Sequence, residues 1–378
     1  MMNLRRSPIP ALAAVAATAL IAGCSSNSEP AEGGPGLGNA TPVPAAPTQT
    51  EPAGTVTETD LKVTDAAFVN DTVALRAGDT LLVGPAKDVA AGNGERMTIQ
   101  ENCQDLEAGI DSFVLACPGA VQIISTEGKV DNTLSVGEDG EEYSAATMLA
   151  NGNVLAAVAD SRVRRVFSPD NSLEDNFKVS EHANQLVRIP LADGGERVLE
   201  ANRPNSSIHG MVLPDSKAGA ALRAGSGLGQ LVPAGPGTAL ATDTIGSQLL
   251  VYTTYDILRL NMSREVPAGP WAVLWDDTRN LAWVASTEGS VLTAWNISTG
   301  VPIKAASLDL LADGQTLVSD GDGGMIVASA TGAGIQHISA ADVDKAVESG
   351  KKAFEADMQK ERPEVGSDAE PASTPQDN

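Results

Sequence analysis

Pro270-Trp-Ala-Val-Leu-Trp-Asp-Asp-Thr-Arg-Asn-Leu-Ala-Trp-Val-Ala285 holds two short apolar runs separated by a polar turn. Gly289-Ser-Val-Leu-Thr-Ala-Trp-Asn-Ile-Ser-Thr-Gly300 follows with a third strand that ends in a Thr-Gly turn. Ser144-Ala-Ala-Thr-Met-Leu-Ala-Asn-Gly-Asn-Val-Leu-Ala-Ala-Val158 repeats the arrangement. Looser copies run from Ile208 to Leu222 and from Leu308 to Val318, and weaker ones begin near Asp71, Ile110 and Gly237. The copies start about 30 to 40 residues apart, except for an interval of about 62 between Ser144 and Ile208. That interval contains a polar stretch, Asn171 to Glu181, which reads as an insertion, and a strand from Gln185 to Leu191. From Leu61 to Ser339 the chain keeps this texture of short apolar runs cut by Gly, Asp and Asn, with no sustained 3.6-residue periodicity. Short, regularly spaced strands predict an all-β sandwich, barrel or propeller. Internal repetition selects among them a β-propeller of about seven blades, because a four-stranded blade buries both faces only by stacking on its neighbours around a central channel. A pair of β-sandwich domains is the competing architecture.

The strand, polar turn and Thr-Gly exit of these segments resemble the blades of YVTN and WD40-like propellers. The resemblance covers about two thirds of residues 61–339 and is clear in two blades.

At the N-terminus, Arg5 and Arg6 precede an uncharged, Ala/Leu/Ile/Val-rich stretch from Ser7 to Gly23. A basic start and a short apolar run are the marks of a signal peptide; a permanent membrane helix needs about 20 apolar residues. Residues 1–23 are therefore expected to be removed. Leu20-Ile21-Ala22-Gly23-Cys24 resembles the lipobox of bacterial lipoproteins. That resemblance implies a diacylglyceryl group and a palmitate-type chain on Cys24, and it places the chain on the extracytoplasmic face of the cell membrane. More than one acyl chain is what stable anchoring requires. A plain secretory signal followed by an early Cys is the alternative. With the lipobox, the tether and the propeller-like body, the chain is similar to actinobacterial lipoproteins of the LppL kind, a resemblance that implies no particular activity.

Residues 24–60 are rich in Pro, Ala, Gly, Ser and Thr, with almost no large apolar side chain, and are expected to form a disordered tether. The propeller is expected over 61–339. Ser339-Ala-Ala-Asp342 makes a start similar to a capping box, so a helix is expected over 340–362, stopped by Pro363. Its apolar positions, Val343, Val347, Phe354 and Met358, are few, which favours loose packing on the propeller. Residues 363–378 form an acidic tail, expected to be disordered.

The chain has a formal net charge of −24, with 25 Lys and Arg against 49 Asp and Glu. Loss of Arg5 and Arg6 leaves 23 basic residues and a net charge of −26. Phosphate binding needs clustered Lys and Arg, so nucleic acid is not a partner. Cys103 and Cys117 are the cysteines other than Cys24. In an oxidising compartment an isolated pair is expected to be a disulfide. Their spacing is not C-x-x-C and no histidine lies nearby, which argues against redox and metal roles.

The three histidines, His182, His209 and His337, lie far apart in sequence and form no zinc-binding spacing. Gly225-Ser-Gly-Leu-Gly229 lacks the flanking strand, helix and acidic residue of a dinucleotide loop and reads as a blade turn. Ser349 and Lys352 match S-x-x-K by spacing alone. Asp320 and Asp322 offer oxygens to Ca²⁺, but the remaining ligands of a loop of that kind are missing, so a hairpin turn is expected. All four tryptophans fall between Trp271 and Trp295. Packing between blades is the expected role; Trp271 and Trp275 are the candidate recognition residues should one lie exposed at the rim. No catalytic residue, metal site or cofactor is assigned. The sequence thus points to a non-catalytic envelope scaffold with an envelope protein as partner. A propeller-type hydrolase or lactonase with a divalent metal at the channel mouth is the alternative, and a transporter's solute-binding protein is disfavoured for want of two α/β lobes.

Overall fold

The computed structural model describes residues 37–47, 50–136 and 140–360; the expected signal peptide 1–23, Cys24 and the tail 363–378 lie outside them. Seven four-stranded antiparallel sheets occupy the described chain. Their inner strands begin at Asp65, Leu106, Tyr143, Gln185, Leu228, Pro270 and Gly314, at intervals of 37 to 44 residues. Each inner strand packs beside those of both neighbouring sheets, and the strand from Gly314 meets the strand from Asp65. The fold is therefore a seven-bladed propeller, with blades numbered here from Asp65.

Stacking follows from strands that have no polar face. Tyr143–Met148 and Leu281–Ser286 are buried at every position. Such strands need a layer on each side. One apolar cluster fills each of the seven gaps between blades. Leu199 and Ile208 of blade 4, for example, pack with Leu231, Ala241 and Tyr252 of blade 5, each fully buried aliphatic side chain contributing about 1.5–3 kcal/mol. The fourth, outer strands are polar and exposed, as in Arg259–Glu265.

That polarity explains where the repeats expected from the sequence were out of phase. The segments at Ser144 and Pro270 are the first two strands of blades 3 and 6. The copy from Ile208 to Leu222 instead covers the two outer strands of blade 4, and Leu308 to Val318 joins blade 6 to blade 7. Asn171 to Glu181 is not an insertion: it carries Leu173–Lys178, the outer strand of blade 3. Outer strands face water and lack the apolar run by which the others are recognised.

The expected boundary at residue 61 is corrected as well. Thr55–Thr57 pairs antiparallel with Ile335–His337 and supplies the fourth strand of blade 7. Ahead of it, residues expected to be a free tether lie as an extended strap against the ring. The Gly38 and Asn39 amides donate to Ser226 O and Arg203 O, and those of Ala45 and Ala46 to the Asp313 carboxylate and Glu288 O. A Cβ on Gly38 would sit 2.0 Å from Pro204 O, so the strap follows the surface closely. Composition showed correctly that this segment cannot form a core, but backbone hydrogen bonds to an existing scaffold need no apolar side chains.

The C-terminal helix, Ala340–Lys360, starts where expected, with Ser339 Oγ accepting from Asp342 N at 3.3 Å. It docks on Ile303–Asp309, the outer strand of blade 6, instead of packing loosely. Val343 is fully buried, Val347 packs on the same cluster, and Arg279 binds both Asp344 and Ala340 O. Gly350 permits the close approach, because a Cβ there would lie 1.8 Å from Ala305 O. Phe354 remains half exposed.

Cys103 and Cys117 form the expected disulfide, which ties the linker between blades 1 and 2 to the second strand of blade 2. Their sequence separation is 14. Replacing both cysteines by Ser is expected to lower the unfolding free energy by about 3 kcal/mol, measured as a shift in denaturant midpoint at unchanged slope. A negligible shift would mean that the bridge adds nothing to the stacking already present.

Candidate functional site

All inner strands run the same way through the ring. The turns where they end, together with those between third and fourth strands, form one face of the disc, called here the end face. The remaining turns form the start face, and the strap lies on it. Between the faces, the inner strands line a channel cavity of about 560 Å³.

A polar cluster occupies the start-face end of this channel. Asp65 opens the inner strand of blade 1, and its carboxylate accepts from Leu106 N and Ala66 N at 3.0 and 2.9 Å. Arg76, on the next strand, approaches it to 3.6 Å. Glu107 accepts from Gln185 Nε2 at 2.9 Å. Gln185 belongs to blade 4 and Glu107 to blade 2, so this bond passes over blade 3 and bridges the channel. Gln185 also donates to Leu231 O and accepts from Leu231 N, which leaves it no rotational freedom. Asp105, 7 % exposed, accepts from Leu186 N at 3.3 Å. Arg203, in a start-face turn of blade 4, donates through Nε to Gly229 O, and its guanidinium lies 5.7 Å from the centre of the Trp271 ring. Its Nη groups make no hydrogen bond to the described residues.

Asp105 is buried while Asp65 and Glu107 are partly exposed, and carboxyl groups gathered in such surroundings disfavour their own ionisation. Burial pushes Glu107 up to about 8; Asp65 adds to the rise, while the bond from Gln185 and the charge of Arg203 oppose it. Asp105 is raised well above the usual carboxylate range by burial, then by Glu107 and Asp65, against Arg203. Asp65 is raised less, since Arg76 and two amides favour its charged form. Burial lowers Arg203, and its attraction to the three acids works against that. Burial therefore favours the protonated form of each of these acids.

The candidates from the sequence fall elsewhere. Trp271 is 9 % exposed, in the core between blades 6 and 7. Trp275, partly buried, lines the channel near the end face. Trp283 and Trp295 are buried. No tryptophan stands on the outer rim. The glycine-rich turn does surround an anion, but an internal one: Asp243, 2 % exposed, accepts from Ser226, Gly227 and Gly246 amides. Asp320 is engaged by Gly324 N, Asp322 N and His337 Nε2 in a hairpin turn of blade 7. The three histidines stand on separate elements, and the described residues contain no group of three or more His, Cys, Asp or Glu able to hold a metal.

The sequence reading missed Asp65, Asp105, Glu107, Gln185 and Arg203. One signal was available: acidic or amide residues at or next to the first position of three apolar inner strands. It becomes legible only once the strands are in phase.

A second feature concerns the end face. Eleven large hydrophobic side chains are exposed among the described residues. Five of them, Tyr255, Ile257, Leu260, Val301 and Ile303, sit in or beside the third turns of the adjacent blades 5 and 6. Ile110, Val130 and Leu173 lie in or beside end-face turns of blades 2 and 3. Eight of the eleven thus decorate one face.

No protein-family model and no curated protein matches the chain. Solved structures share its fold. They include the Cps50 (Swd1) propeller domain of Myceliophteria thermophila, at 12 % identity and TM-score 0.57 over 75 % of this chain and 98 % of that one. The WD40 propeller domain of Doa1 is similar at 13 % identity and TM-score 0.56, over 76 % and 96 %. A chain of the mitotic checkpoint complex matches at 10 % identity and TM-score 0.58, over 80 % and 97 %. At these identities the likeness establishes a WD40-like propeller fold.

The acidic cluster makes a testable demand on stability. Glu107 folds into a raised pKa, so the folded state binds more protons than the unfolded chain between the ordinary 4.5 and about 8. Its contribution is fully present below 4.5 and lost as pH climbs through 8. Glu107→Gln is therefore expected to melt higher than the parent at pH 9 and to lose most of that advantage at pH 5. Calorimetry at the two pH values checks it; equal differences would place Glu107 in contact with bulk water.

Proposed function

We propose that this chain is a lipoprotein held at the extracytoplasmic face of the cell membrane through Cys24, and that its propeller is a non-catalytic scaffold for an envelope protein. The observation that carries the reading is the unequal distribution of exposed apolar side chains. Large apolar patches on a soluble surface mark contact sites, and here they gather on the end face. The strap through which the chain enters the ring lies on the opposite face, and the C-terminal helix meets the end face at Arg279, away from the exposed side chains of blades 2, 3 and 5. WD40-like propellers are frequent in multiprotein assemblies, and the mitotic checkpoint complex contains one similar in fold. The strong negative charge of the chain adds solubility and favours partners with basic contact surfaces.

The hydrolase reading gains one observation, the convergence of Asp65, Asp105 and Glu107 in the channel. Its metal-dependent form is not favoured: Asp65 and Glu107 already accept from Leu106 N, Ala66 N and Gln185, and the described residues offer no metal-binding group.

Two experiments test the proposal. Cys24→Ser is expected to abolish incorporation of labelled palmitate and release the protein from the membrane fraction; retention of label would refute acylation at this residue. For the binding face, a photo-crosslinking residue at Ile257 or Val301 is expected to give a discrete adduct with one envelope protein in intact cells, and one at Thr41 on the strap none. Equal adducts from both faces, or none from the end face, would reject it.

A further inference from the structure

We propose that the end-face mouth of the channel binds an uncharged saccharide, with one sugar ring stacked on the indole of Trp275 and its hydroxyls bonded to Thr147 and the polar groups around it. The inference goes beyond the scaffold reading and does not rest on it, since it concerns the channel lining and not the outer turns.

The channel cavity, of about 560 Å³, has the size of a small-molecule site. Its end-face mouth is built from the last residues of the inner strands and the turns that follow them. Phe68 of blade 1 and Trp275 of blade 6 line it as partly buried aromatic rings, beside a wall that includes Val187, Val232, Val273 and Val318. Gly109 in blade 2, Gly235 in blade 5 and Gly321, Gly323 and Gly324 in blade 7 line it at the turns. Residues without a side chain let a ligand approach the backbone closely.

Two polar groups at this mouth lack a protein partner. A buried tryptophan N–H usually finds one, and Trp283 and Trp295 donate to Asp276 and Thr293. Trp271, whose ring meets Arg203, does not line the cavity. Trp275 does line it, and its Nε1 donates to no described residue. The turn of blade 5 passes this N–H without covering it: a Cβ on Gly235 would lie 3.9 Å away, and glycine has none. Thr147, on the inner strand of blade 3, lines the cavity at 1 % exposure, and its hydroxyl has no hydrogen-bond partner among the described residues. Polar groups left unpaired in so enclosed a space are costly. Trp275 can only donate, and Thr147 can donate and accept, so the fitting ligand carries groups that do both, as sugar hydroxyls do.

Charge and shape narrow the class further. The charged side chains lining this end are Arg188, Asp276 and Asp277. Arg279 pairs with Asp276 at 2.8 Å and Glu196 approaches Arg188 to 3.8 Å, which leaves Asp277 as an exposed acceptor. No cluster of like charge stands there to hold an ionic ligand, and the net charge of −24 disfavours anions. A hydrocarbon would cover the wall but leave Thr147 and Trp275 without partners. A sugar meets both demands, because the C–H face of its ring covers an aromatic platform while the hydroxyls around its edge pair with Thr147, Thr278 and Asp277.

Titration calorimetry of the purified full chain with maltose, cellobiose and N,N′-diacetylchitobiose tests the proposal, with tryptophan emission followed in parallel. The expected result is one site for at least one of these sugars, with a Kd of about 1 mM or tighter, and a change in emission that Trp275→Phe removes. Trp275→Ala should weaken binding about tenfold. Thr147→Val, which keeps the volume and removes the hydroxyl, should weaken it several-fold and remains informative if Trp275→Ala does not fold. Calorimetric melting establishes which variants are folded. Absence of binding by all three sugars at about 20 mM, equal affinity of wild type and folded Trp275→Ala or Thr147→Val, or tighter binding of hexanol, cadaverine or the tripeptide Ala-Ala-Ala would each overturn the assignment.

Discussion

Pairing of Thr55–Thr57 with Ile335–His337 brings the two ends of the propeller into one sheet. Without it blade 7 would have three strands, and blades 7 and 1 would be held by side-chain packing and the bond from Val63 N to Ser329 O. A ring of stacked sheets shares its stability around the circle, since every blade needs both neighbours to cover strands such as Leu281–Ser286 that have no exposed face. The closing strand is polar and only partly buried. Its contribution is topological: it makes the last interface depend on the first residues of the ring, so that the seven apolar clusters act as one core.

Closure also makes the two faces unlike. The strap that leads into the closing strand runs along the start face, bonded to turns of blades 4 and 6 and to the linkers between blades. On the same side lies the cluster of Asp65, Asp105, Glu107, Gln185 and Arg203. On the opposite side stand Tyr255, Ile257, Val301 and most of the other exposed apolar residues. The polar cluster at one end follows from one fact, that all inner strands run in the same direction and carry polar residues at or next to their first position in blades 1, 2 and 4.

Within the cluster, the backbone sets the chemistry. Asp65 and Asp105 are fixed by amides at the starts of inner strands in neighbouring or distant blades, and Gln185 is clamped between Glu107 and Leu231. Such groups do not move apart to relieve their repulsion. Protonation is the remaining response: burial raises all three acids, and neighbouring carboxylates add to the rise at Asp105 and Glu107. Elsewhere Asp243, 2 % exposed, accepts from three amides and holds the glycine-rich turn.

What the sequence determined by itself was local. Short apolar runs bounded by turns give strands, their recurrence gives a propeller of about seven blades, and the Cys103 and Cys117 pair gives a disulfide, because each depends on neighbours within one or two strands. The targeting signals proposed around Arg5, Arg6 and Cys24 would be local in the same sense and rest on sequence pattern and resemblance alone. Tertiary structure decided the rest. The polar outer strand Leu173–Lys178 and the closing strand Thr55–Thr57 form because a partner edge is already in place, and the helix from Ala340 docks because Gly350 and Val343 meet a surface that no helical pattern displays. The channel cluster was illegible for the same physical reason: its members come from residues 65 to 203, and only ring closure places them around one cavity, where loss of water gives ordinary acids unusual properties.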